Sequence, residues 1–317
     1  MRIALDAMGG DHAPRSPLLG SLEALKVLPP GDEILLVGKT ERIEQELQLA
    51  GITLPDRIRV IEASEMIDMD EAPTVALSHK RQASIPVAYG MMRQGQADAI
   101  ISAGNTGAML VGAMYTLHTI PGIIRPCIPA LVPQSNDQYS LLLDVGSNPD
   151  AKPDVLYQYA IIGKAYAELV MKIHQPRVAL LNIGEEEEKG NLLTQATHRL
   201  MKESPEFNFI GNIEARDLFN HSADVIVCDG FTGNIVLKQA EAFYNLLIDR
   251  QVKDPFFERY NYENYGGTPI LGINGIAMIA HGISTPNAFK TMFLEVRKIH
   301  DSGLISELQE SLKRFID

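Results

Sequence analysis

The sequence predicts an α/β fold in which a doubly wound, mostly parallel sheet is flanked by helices. Short apolar runs are separated by glycine turns and amphipathic segments along the chain. The runs are nearly continuous rather than alternating, which is typical of strands that helices cover on both faces of a parallel sheet. Alternation of strands with helices favours the doubly wound arrangement. The runs are RIALDAM, EILLVG, IRVIEA, ADAIISAG, YSLLLDVG, RVALLNIG and ADVIVCDG.

Two of the intervening segments show the pattern of helices. The segment Thr40 to Ala50 has its first residue as a candidate N-cap and Gly51 as a stop signal. The segment Pro153 to Lys172 begins with a proline, which is favoured in the first helical turn, and carries small and apolar residues at helical spacing. No low-complexity linker interrupts the chain, so we expect a single domain, residues 1–317, with a weak internal boundary near residue 148.

Composition and charge exclude several classes of protein. The chain has 28 basic and 40 acidic residues, and the net charge of −12 excludes nucleic acid as a partner, because that partner requires a basic surface. Cys127 and Cys228 have no metal-binding spacing, and we expect both to be structural in a reducing compartment. Asp6 comes too early for a signal peptide, and no run reaches the roughly 18 apolar residues of a membrane span. We therefore expect a soluble, cytoplasmic protein.

The chain contains an internal similarity. Residues 97–110, ADAIISAGNTGAML, align without gaps on residues 223–236, ADVIVCDGFTGNIV, with six of fourteen positions identical. Each copy is predicted to form a strand, a G-x-T-G turn and the start of a helix. Convergence on small turn residues would also explain the likeness. The alternative is two matching turns at the carboxyl edge of one sheet, facing a shared cleft where ligands bind in open α/β folds.

Three glycine turns predict a site for an anion. A glycine turn before a helix lets backbone N–H groups approach a ligand, and the N-terminus of the helix favours negative charge. The turns are DAMGGDHAP, SAGNTGA and DGFTGN. The chain contains neither G-x-G nor a P-loop, so phosphate or a small phosphorylated group is expected rather than a nucleotide. The candidate phosphate- or substrate-binding residues are Gly9, Gly10, Asp11, Ser102, Gly104, Asn105, Thr106, Gly107, Asp229, Thr232 and Gly233.

Lys189 and His281 are the side chains most suited to chemistry near these turns. Lys189 ends the acidic run of IGEEEEKGN after a predicted strand. A lysine there can hold phosphate or stabilise developing charge, whereas the four glutamates are expected to be solvated. His281 either donates a proton to a leaving group or is structural. His12 with Asp6 and Asp11 lacks a second carboxylate cluster, so we predict no metal site.

Seven blocks, in chain order, resemble the signature blocks of the bacterial phosphate acyltransferase family. They are DAMGGDHAP, SAGNTGA, LLLDVGSN, LLNIGEEEEKG, GNIEA, DGFTGNIVLK and YGGTPILG…HG. The resemblance runs from residue 1 to about residue 285. It departs at Ser147 and Ala215, where family members usually have alanine and glycine, and in LSHKRQASI, residues 77–85, which is less basic than the family segment.

The resemblance implies transfer of a long-chain fatty acyl group from acyl carrier protein to inorganic phosphate, giving acyl phosphate for phospholipid synthesis. It also implies a fold similar to those of isopropylmalate dehydrogenases and phosphotransacetylases, a homodimer and no cofactor. Family members touch the membrane through amphipathic helices. Residues 240–264 hold five acids and three bases here, so we expect at most weak peripheral contact with the inner face of the membrane.

The implied reaction assigns roles to the candidate residues. Phosphate is already an oxyanion and needs positioning more than a base, so the G-x-T-G turns are expected to cradle it. Lys189 and Asn234 are expected to stabilise the tetrahedral oxyanion, and His281 is the remaining catalytic candidate. Neither a metal nor an organic cofactor is required.

Three alternatives stay open. One is a phosphotransacetylase acting on a short acyl-CoA, and another is a nicotinamide-dependent decarboxylating dehydrogenase of the same fold. The third is a catalytically idle module that binds acyl carrier protein or acyl phosphate. The missing nucleotide and metal motifs disfavour the dehydrogenase. Retention of every signature block disfavours the binding module.

Overall fold

The computed structural model describes residues 1–313, apart from the side chain of Tyr262. These residues form two compact units. Unit 1 comprises Met1–His118 and Tyr262–Asp301, and unit 2 comprises Thr119–Asn261 together with the described residues from Ser302 onward. Residue 148 lies inside unit 2, and the action of both units as one acyltransferase domain stays a prediction.

Eleven strands and eleven α-helices form within the described residues. The strands are β1 (Arg2–Asp6), β2 (Glu33–Gly38), β3 (Ile58–Glu62), β4 (Ala99–Ser102), β5 (Pro129–Pro133), β6 (Tyr139–Leu143), β7 (Arg177–Leu181), β8 (Asn208–Ile213), β9 (Val225–Val227), β10 (Gly267–Pro269) and β11 (Ile276–Ala280). The helices are α1 (Arg15–Leu25), α2 (Thr40–Ala50), α3 (Pro73–His79), α4 (Ser84–Arg93), α5 (Thr106–Thr116), α6 (Pro153–Leu169), α7 (Leu192–Lys202), α8 (Gly230–Asp249), α9 (Pro255–Glu258), α10 (Pro286–Ser302) and α11 (Leu304–Ser311). All seven predicted runs form strands.

Each unit is built on its own sheet. The sheet of unit 1 has the order β10-β11-β4-β1-β2-β3, and that of unit 2 has the order β5-β6-β9-β7-β8. In each sheet only the first strand is antiparallel to its neighbour. The mostly parallel α/β fold class is therefore confirmed, with two sheets. The central strands are buried on both faces, as their continuous apolar runs predict.

The two helices predicted from sequence are present, with small differences at their ends. Helix α2 has Lys39 as its N-cap instead of Thr40, because the Thr40 amide donates to Glu62 at 3.0 Å and Thr40 is already helical. The stop at Gly51 is confirmed, with a left-handed φ of 64°. Helix α6 ends at Leu169 rather than at Lys172, which has a left-handed φ of 63° and so cannot continue the helix.

The two G-x-T-G turns do not lie on one sheet, and that prediction is wrong. The first turn follows β4 in unit 1 and the second follows β9 in unit 2. The apolar pattern identifies strands but not their partners, and each half of the chain completes a sheet with its own antiparallel edge strand.

The matching segments nevertheless occupy corresponding places in the two sheets. Strands β4 and β9 both lie third in order, beside a strand that begins with arginine. Asp98, just before β4, accepts a hydrogen bond from the Arg2 amide at 2.6 Å. Asp224, just before β9, accepts one from the Arg177 amide at 2.7 Å. The internal similarity therefore corresponds to a shared local structure.

Replacing Arg177 by glutamine should lower the free energy of unfolding by about 2 kcal/mol at pH 7, because the buried Asp224 carboxylate loses a charged donor. Burial alone would raise the pKa of the Asp224 carboxyl, but hydrogen bonds from Arg177 lower that pKa overall. The stabilisation is therefore present above the unfolded-state pKa, roughly 4, and is lost as the pH falls through the lowered folded-state pKa. Urea unfolding between pH 7 and pH 3 should show the difference between wild type and Arg177→Gln shrinking in acid.

The matched control is Arg2→Gln in unit 1. Its partner Asp98 has a side chain 36% exposed, against 7% for Asp224, so this pair is better screened. The control should cost less than about 1 kcal/mol. Equal losses from the two substitutions would contradict the burial argument.

Candidate active site

The carboxyl edge of the unit 1 sheet brings together the turns that follow β1, β4 and β11. These strands are parallel neighbours, so the chain leaves all three at the same edge. The Asp11 amide in the first turn donates to the carbonyl oxygen of Gly282, after β11, at 2.8 Å. A Cβ on Gly9 would lie 2.6 Å from the amide nitrogen of Gly104, after β4. The first and second predicted turns and the His281 segment are thus in direct backbone contact.

A buried carboxylate, that of Asp6, fixes these turns. Its Oδ1 accepts from the Met8 amide at 2.9 Å, and its Oδ2 accepts from the Ser102 hydroxyl at 2.7 Å. Burial raises the pKa of the Asp6 carboxyl, and the hydrogen bonds oppose that rise. The Ser102 hydroxyl also accepts from the Gly104 amide at 2.9 Å. Ser102 therefore links Asp6 to the turn. From the sequence, Asp6 was considered only as a metal ligand.

Asn105 uses its whole side chain to hold the second turn. Its Oδ1 accepts from the Ala108 amide at 2.9 Å and so caps α5. Its Nδ2 donates to three carbonyl oxygens of one preceding segment, those of Asp68, Met69 and Glu71. Asn105 therefore joins the helix start to the segment before α3.

The other two candidates of this turn differ in their surroundings. A Cβ on Gly107 would lie 2.3 Å from Cγ of Pro73, so this glycine permits α5 to approach α3. Thr106, the first residue of α5, is exposed, and its hydroxyl has no hydrogen bond within residues 1–313. Of the hydroxyls predicted in this turn, that of Thr106 faces solvent.

In unit 2 a second buried aspartate, Asp144, follows β6. Its carboxylate accepts from the amides of Ile128 at 3.0 Å, Ser147 at 3.1 Å and Asn148 at 2.7 Å. The Ser147 hydroxyl adds a bond at 2.8 Å. A Cβ on Gly230 would lie 2.6 Å from Asp144 Oδ2. Asp144 thus shapes the turn after β6 and requires a glycine in the turn after β9.

The second G-x-T-G turn is closed by internal hydrogen bonds. Asp229 caps α8, since its Oδ1 accepts from the Thr232 amide at 2.9 Å. The Thr232 hydroxyl donates to Asp229 Oδ2 at 2.8 Å. A Cβ on Gly233 would lie 1.9 Å from the carbonyl oxygen of Asp144, so this glycine is required by packing.

Lys189 and Asn234 keep polar groups without partners at the same edge of the unit 2 sheet. They follow the neighbouring parallel strands β7 and β9. A Cβ on Gly146 would lie 3.3 Å from Asn234 Nδ2, and this amide makes no hydrogen bond with any described residue. The Lys189 ammonium forms no ion pair within the described part of the chain, although four glutamates precede it. Its stem packs over Gly184.

The three candidate catalytic residues are divided between the units. His281 is exposed in unit 1, where its carbonyl oxygen accepts from the Ser284 amide at 3.0 Å. Lys189 and Asn234 belong to unit 2. Asp144 was not among the candidate residues, although it lies in the LLLDVGSN block, directly after an apolar run and two residues before a glycine.

One group of acidic side chains among the described residues is close enough to share an ion, Glu185, Glu214 and Asp217. Arg216 lies 3.7 Å from Glu185 and also pairs with Glu214. The guanidinium therefore already balances charge in this cluster.

The fold and the residues at the carboxyl edges of its sheets are those of an α/β enzyme. Glycine turns, and a lysine that has no ion pair among residues 1–313, stand at the carboxyl ends of parallel strands, where α/β enzymes bind their substrates. Among residues 1–313, no helix combines the length and the apolar character needed to cross a membrane.

Comparison with known proteins identifies the family. The family model described as "Fatty acid synthesis protein" matches residues 1–306. The phosphate acyltransferase of Syntrophomonas wolfei is 46% identical over 322 residues, covering 99% of this chain and 99% of its own. That of Desulfitobacterium hafniense is 42% identical over 335 residues, covering 99% of this chain and 98% of its own. The chain belongs to the phosphate acyltransferase family and is an acyltransferase, as the signature blocks predict.

Solved structures confirm the predicted fold. A phosphotransacetylase from Streptococcus pyogenes superposes with a TM-score of 0.68 at 17% identity, covering 95% of this chain and 94% of its own. At that identity the likeness concerns the fold alone.

The two cysteines should be unreactive in the native protein. Both are buried, and burial raises the pKa of the Cys127 and Cys228 thiols well above their ordinary value. An aromatic disulfide reagent at pH 8 should therefore label neither thiol until guanidinium unfolds the chain, when both should react. The double serine variant should keep its turnover. Prompt labelling of the native protein, or an acyl group trapped on either sulfur, would contradict this.

Proposed function

We propose that this chain transfers a long-chain fatty acyl group from acyl carrier protein to inorganic phosphate, giving acyl phosphate for phospholipid synthesis. The observation that best supports this proposal is the position of the Lys189 ammonium. In a member of the phosphate acyltransferase family, Lys189 presents an ammonium without a carboxylate partner among the described residues, at the carboxyl edge of a parallel sheet. A cation left unpaired there suits a reaction whose substrate and intermediate are both anionic.

The chemistry needs few groups. An oxygen of phosphate attacks the thioester carbonyl carbon, a C–O bond forms, and the carbonyl oxygen becomes an oxyanion. The C–S bond then breaks and the carrier thiolate leaves. In this proposal Lys189 and the Asn234 amide stabilise the oxyanion, and His281 is the candidate that protonates the thiolate.

The hydrogen bonds narrow the set of phosphate ligands that we propose. Helix α8 is capped by the carboxylate of Asp229, which offsets the positive end of its dipole, whereas α5 is capped by the neutral Asn105. The α5 N-terminus with the Thr106 hydroxyl therefore suits an anion better. Thr232 and Ser102, whose hydroxyls donate to aspartates, are assigned to holding the turns.

The surface of α8 supports a homodimer as the proposed assembly. Of its twenty residues only Gly230 and Gly233 are buried. One side of the helix carries exposed apolar side chains, those of Phe231, Ile235, Phe243 and Leu246. We propose that a second copy of the chain covers this face. The excess of acids in residues 240–264 would repel anionic lipid, so membrane contact of this cytoplasmic enzyme is proposed to be weak.

Lys189→Ala should lower kcat/KM by about a hundred- to a thousandfold, as removal of one oxyanion-hole donor does. The assay incubates the enzyme with palmitoyl-acyl carrier protein and phosphate, and traps acyl phosphate with hydroxylamine. The melting temperature should barely change, because the ammonium makes no ion pair with described residues and an exposed lysine adds little to the core.

Lys26→Ala is the matched control, since Lys26 is an exposed lysine directly after α1 that pairs with Glu23 and lies far along the chain from the loop of Lys189. It should keep near-normal turnover. Wild-type turnover by Lys189→Ala would show that Lys189 is a solvated surface residue with no catalytic role. Faster turnover of acetyl-CoA than of palmitoyl-acyl carrier protein would favour the phosphotransacetylase, and no turnover with either donor would favour the binding module.

Leu246→Glu should dissociate the proposed homodimer, because a carboxylate would enter an apolar face that a second copy covers. Light scattering after gel filtration should give the mass of a dimer for wild type and of a monomer for the variant. Ile248→Glu is the control, because Ile248 is as exposed as Leu246 but lies two residues further along α8, on the opposite side of the helix. It should remain dimeric. A monomeric wild type would contradict the assembly.

A further inference from the structure

The exposed loop after β7 is held by three amide side chains. The loop, residues 183–190, carries four glutamates and Lys189, a composition typical of a solvated segment. Its carbonyl oxygens nevertheless accept hydrogen bonds from Asn182, Gln195 and Asn212. We call these three side chains the amide clamp.

Two members of the clamp bind the part of the loop around Lys189. Asn182, at the end of β7, donates from Nδ2 to the carbonyl oxygen of Lys189 at 3.1 Å. Gln195, on α7, donates from Nε2 to the carbonyl oxygens of Glu188 at 2.7 Å and Gly190 at 3.1 Å. Gly190 has a φ of 94°, and a Cβ there would lie 2.2 Å from Asn182 Oδ1. The backbone on both sides of Lys189 is therefore fixed.

The third member, Asn212, is itself oriented by a buried histidine. Its Nδ2 donates to the carbonyl oxygen of Glu186 at 2.9 Å, and its Oδ1 lies 2.9 Å from Nδ1 of His198. A backbone carbonyl can only accept, so Nδ2 must face Glu186, and His198 must donate from Nδ1. The His198 side chain is held in turn by the edge-on ring of Phe209 at 5.1 Å.

The loop also directs the lysine side chain. The Cγ of Lys189 lies 2.7 Å from the position of a Cβ on Gly184, so the glycine leaves room for the stem. Glu185 and Glu187 pair with cations outside the loop. The Lys189 ammonium forms no ion pair within the described residues, although it lies in an acidic run and Glu186 Oε2 lies 3.0 Å from the same Cβ position on Gly184.

We propose that the amide clamp positions Lys189 for catalysis, with Asn182, Gln195 and Asn212 acting as positioning residues that touch no substrate. This inference rests on the proposed function, in which Lys189 stabilises the oxyanion. A catalytic group displaced by about 1 Å can cost about a hundredfold in rate, so bonds that fix the loop backbone control turnover.

A double-mutant cycle tests whether the clamp acts through Lys189. Asn212→Ala and Gln195→Ala should each lower kcat/KM about ten- to a hundredfold in wild type. In the Lys189→Ala background, where residual activity is still measurable, each should cost less than about threefold, because the group being positioned is gone. Gln195 lies on a helix where alanine is favoured, so this variant keeps the test valid if Asn212→Ala folds poorly.

Hydrogen exchange gives a readout that does not depend on activity. Amides of residues 183–191 should exchange at least about tenfold faster in both clamp variants, since the loop opens more readily. Asn208→Ala is the matched control, because Asn208 lies on the same strand as Asn212 but is exposed at its opposite end. It should change neither turnover nor exchange.

The outcomes separate the two hypotheses. Equal losses from the clamp variants with and without Lys189 would overturn the clamp alone, as would unchanged exchange in the loop. Failure of wild type to form acyl phosphate would overturn the proposed function, and the exchange data would then decide whether the clamp holds the loop. Wild-type turnover by Lys189→Ala would overturn the role of Lys189 and the catalytic role of the clamp together.

Discussion

Two buried carboxylates, those of Asp6 and Asp144, determine the shape of both candidate edges. A carboxylate removed from water is costly unless hydrogen bonds replace its hydration, and each bond to a charged group contributes about 1.5–3 kcal/mol. Here the donors are backbone amides and serine hydroxyls of the adjoining turns. The backbone must therefore come so close to each carboxylate that Gly9 and Gly230 have no room for a Cβ. Glycines that suggest a site for an anionic ligand in the sequence are thus required, in the first place, by the buried carboxyl groups of the protein itself.

This constraint decides which polar side chains remain for a substrate. Ser102 donates its hydroxyl hydrogen to Asp6, and Thr232 donates its own to Asp229. Thr106, Asn234 and Lys189 keep groups that bind no described residue. The two G-x-T-G turns consequently differ in the polar groups that they leave without partners among the described residues. In unit 1 the turn leaves a hydroxyl at a helix start with a neutral cap, whereas in unit 2 the Asp229 carboxylate caps the helix and accepts from the turn hydroxyl. The cation that we propose for unit 2, Lys189, follows the neighbouring strand β7.

The sequence predicted the elements better than their arrangement. Runs such as EILLVG and ADVIVCDG form buried strands because continuous apolar side chains suit a sheet covered on both faces. Strands β10 and β11 were not predicted, because they lie in a segment dense in glycine. Strand β5 was not predicted either, because it begins and ends with proline at the edge of its sheet. Pairing was predicted wrongly, because a local pattern does not encode which strand lies beside which. Of the candidate residues, Lys189 followed from its place after a predicted strand and Asn234 from the implied reaction. The hydrogen bonds that the Ser102 and Thr232 hydroxyls donate to aspartates leave no local signal.

The same reasoning bears on how an acidic run can carry Lys189, the cation that we propose for catalysis. Four consecutive glutamates would pair with Lys189 if the loop could fold back freely, and a paired ammonium would be a poorer electrostatic catalyst. The carbonyl oxygens of the loop are instead bound by neutral amides, which add no competing charge. The pairing of Glu185 and Glu187 with arginine and lysine side chains elsewhere removes two nearby competitors. In our proposal, rigidity of the backbone rather than a low density of acids keeps the lysine available for a negatively charged intermediate.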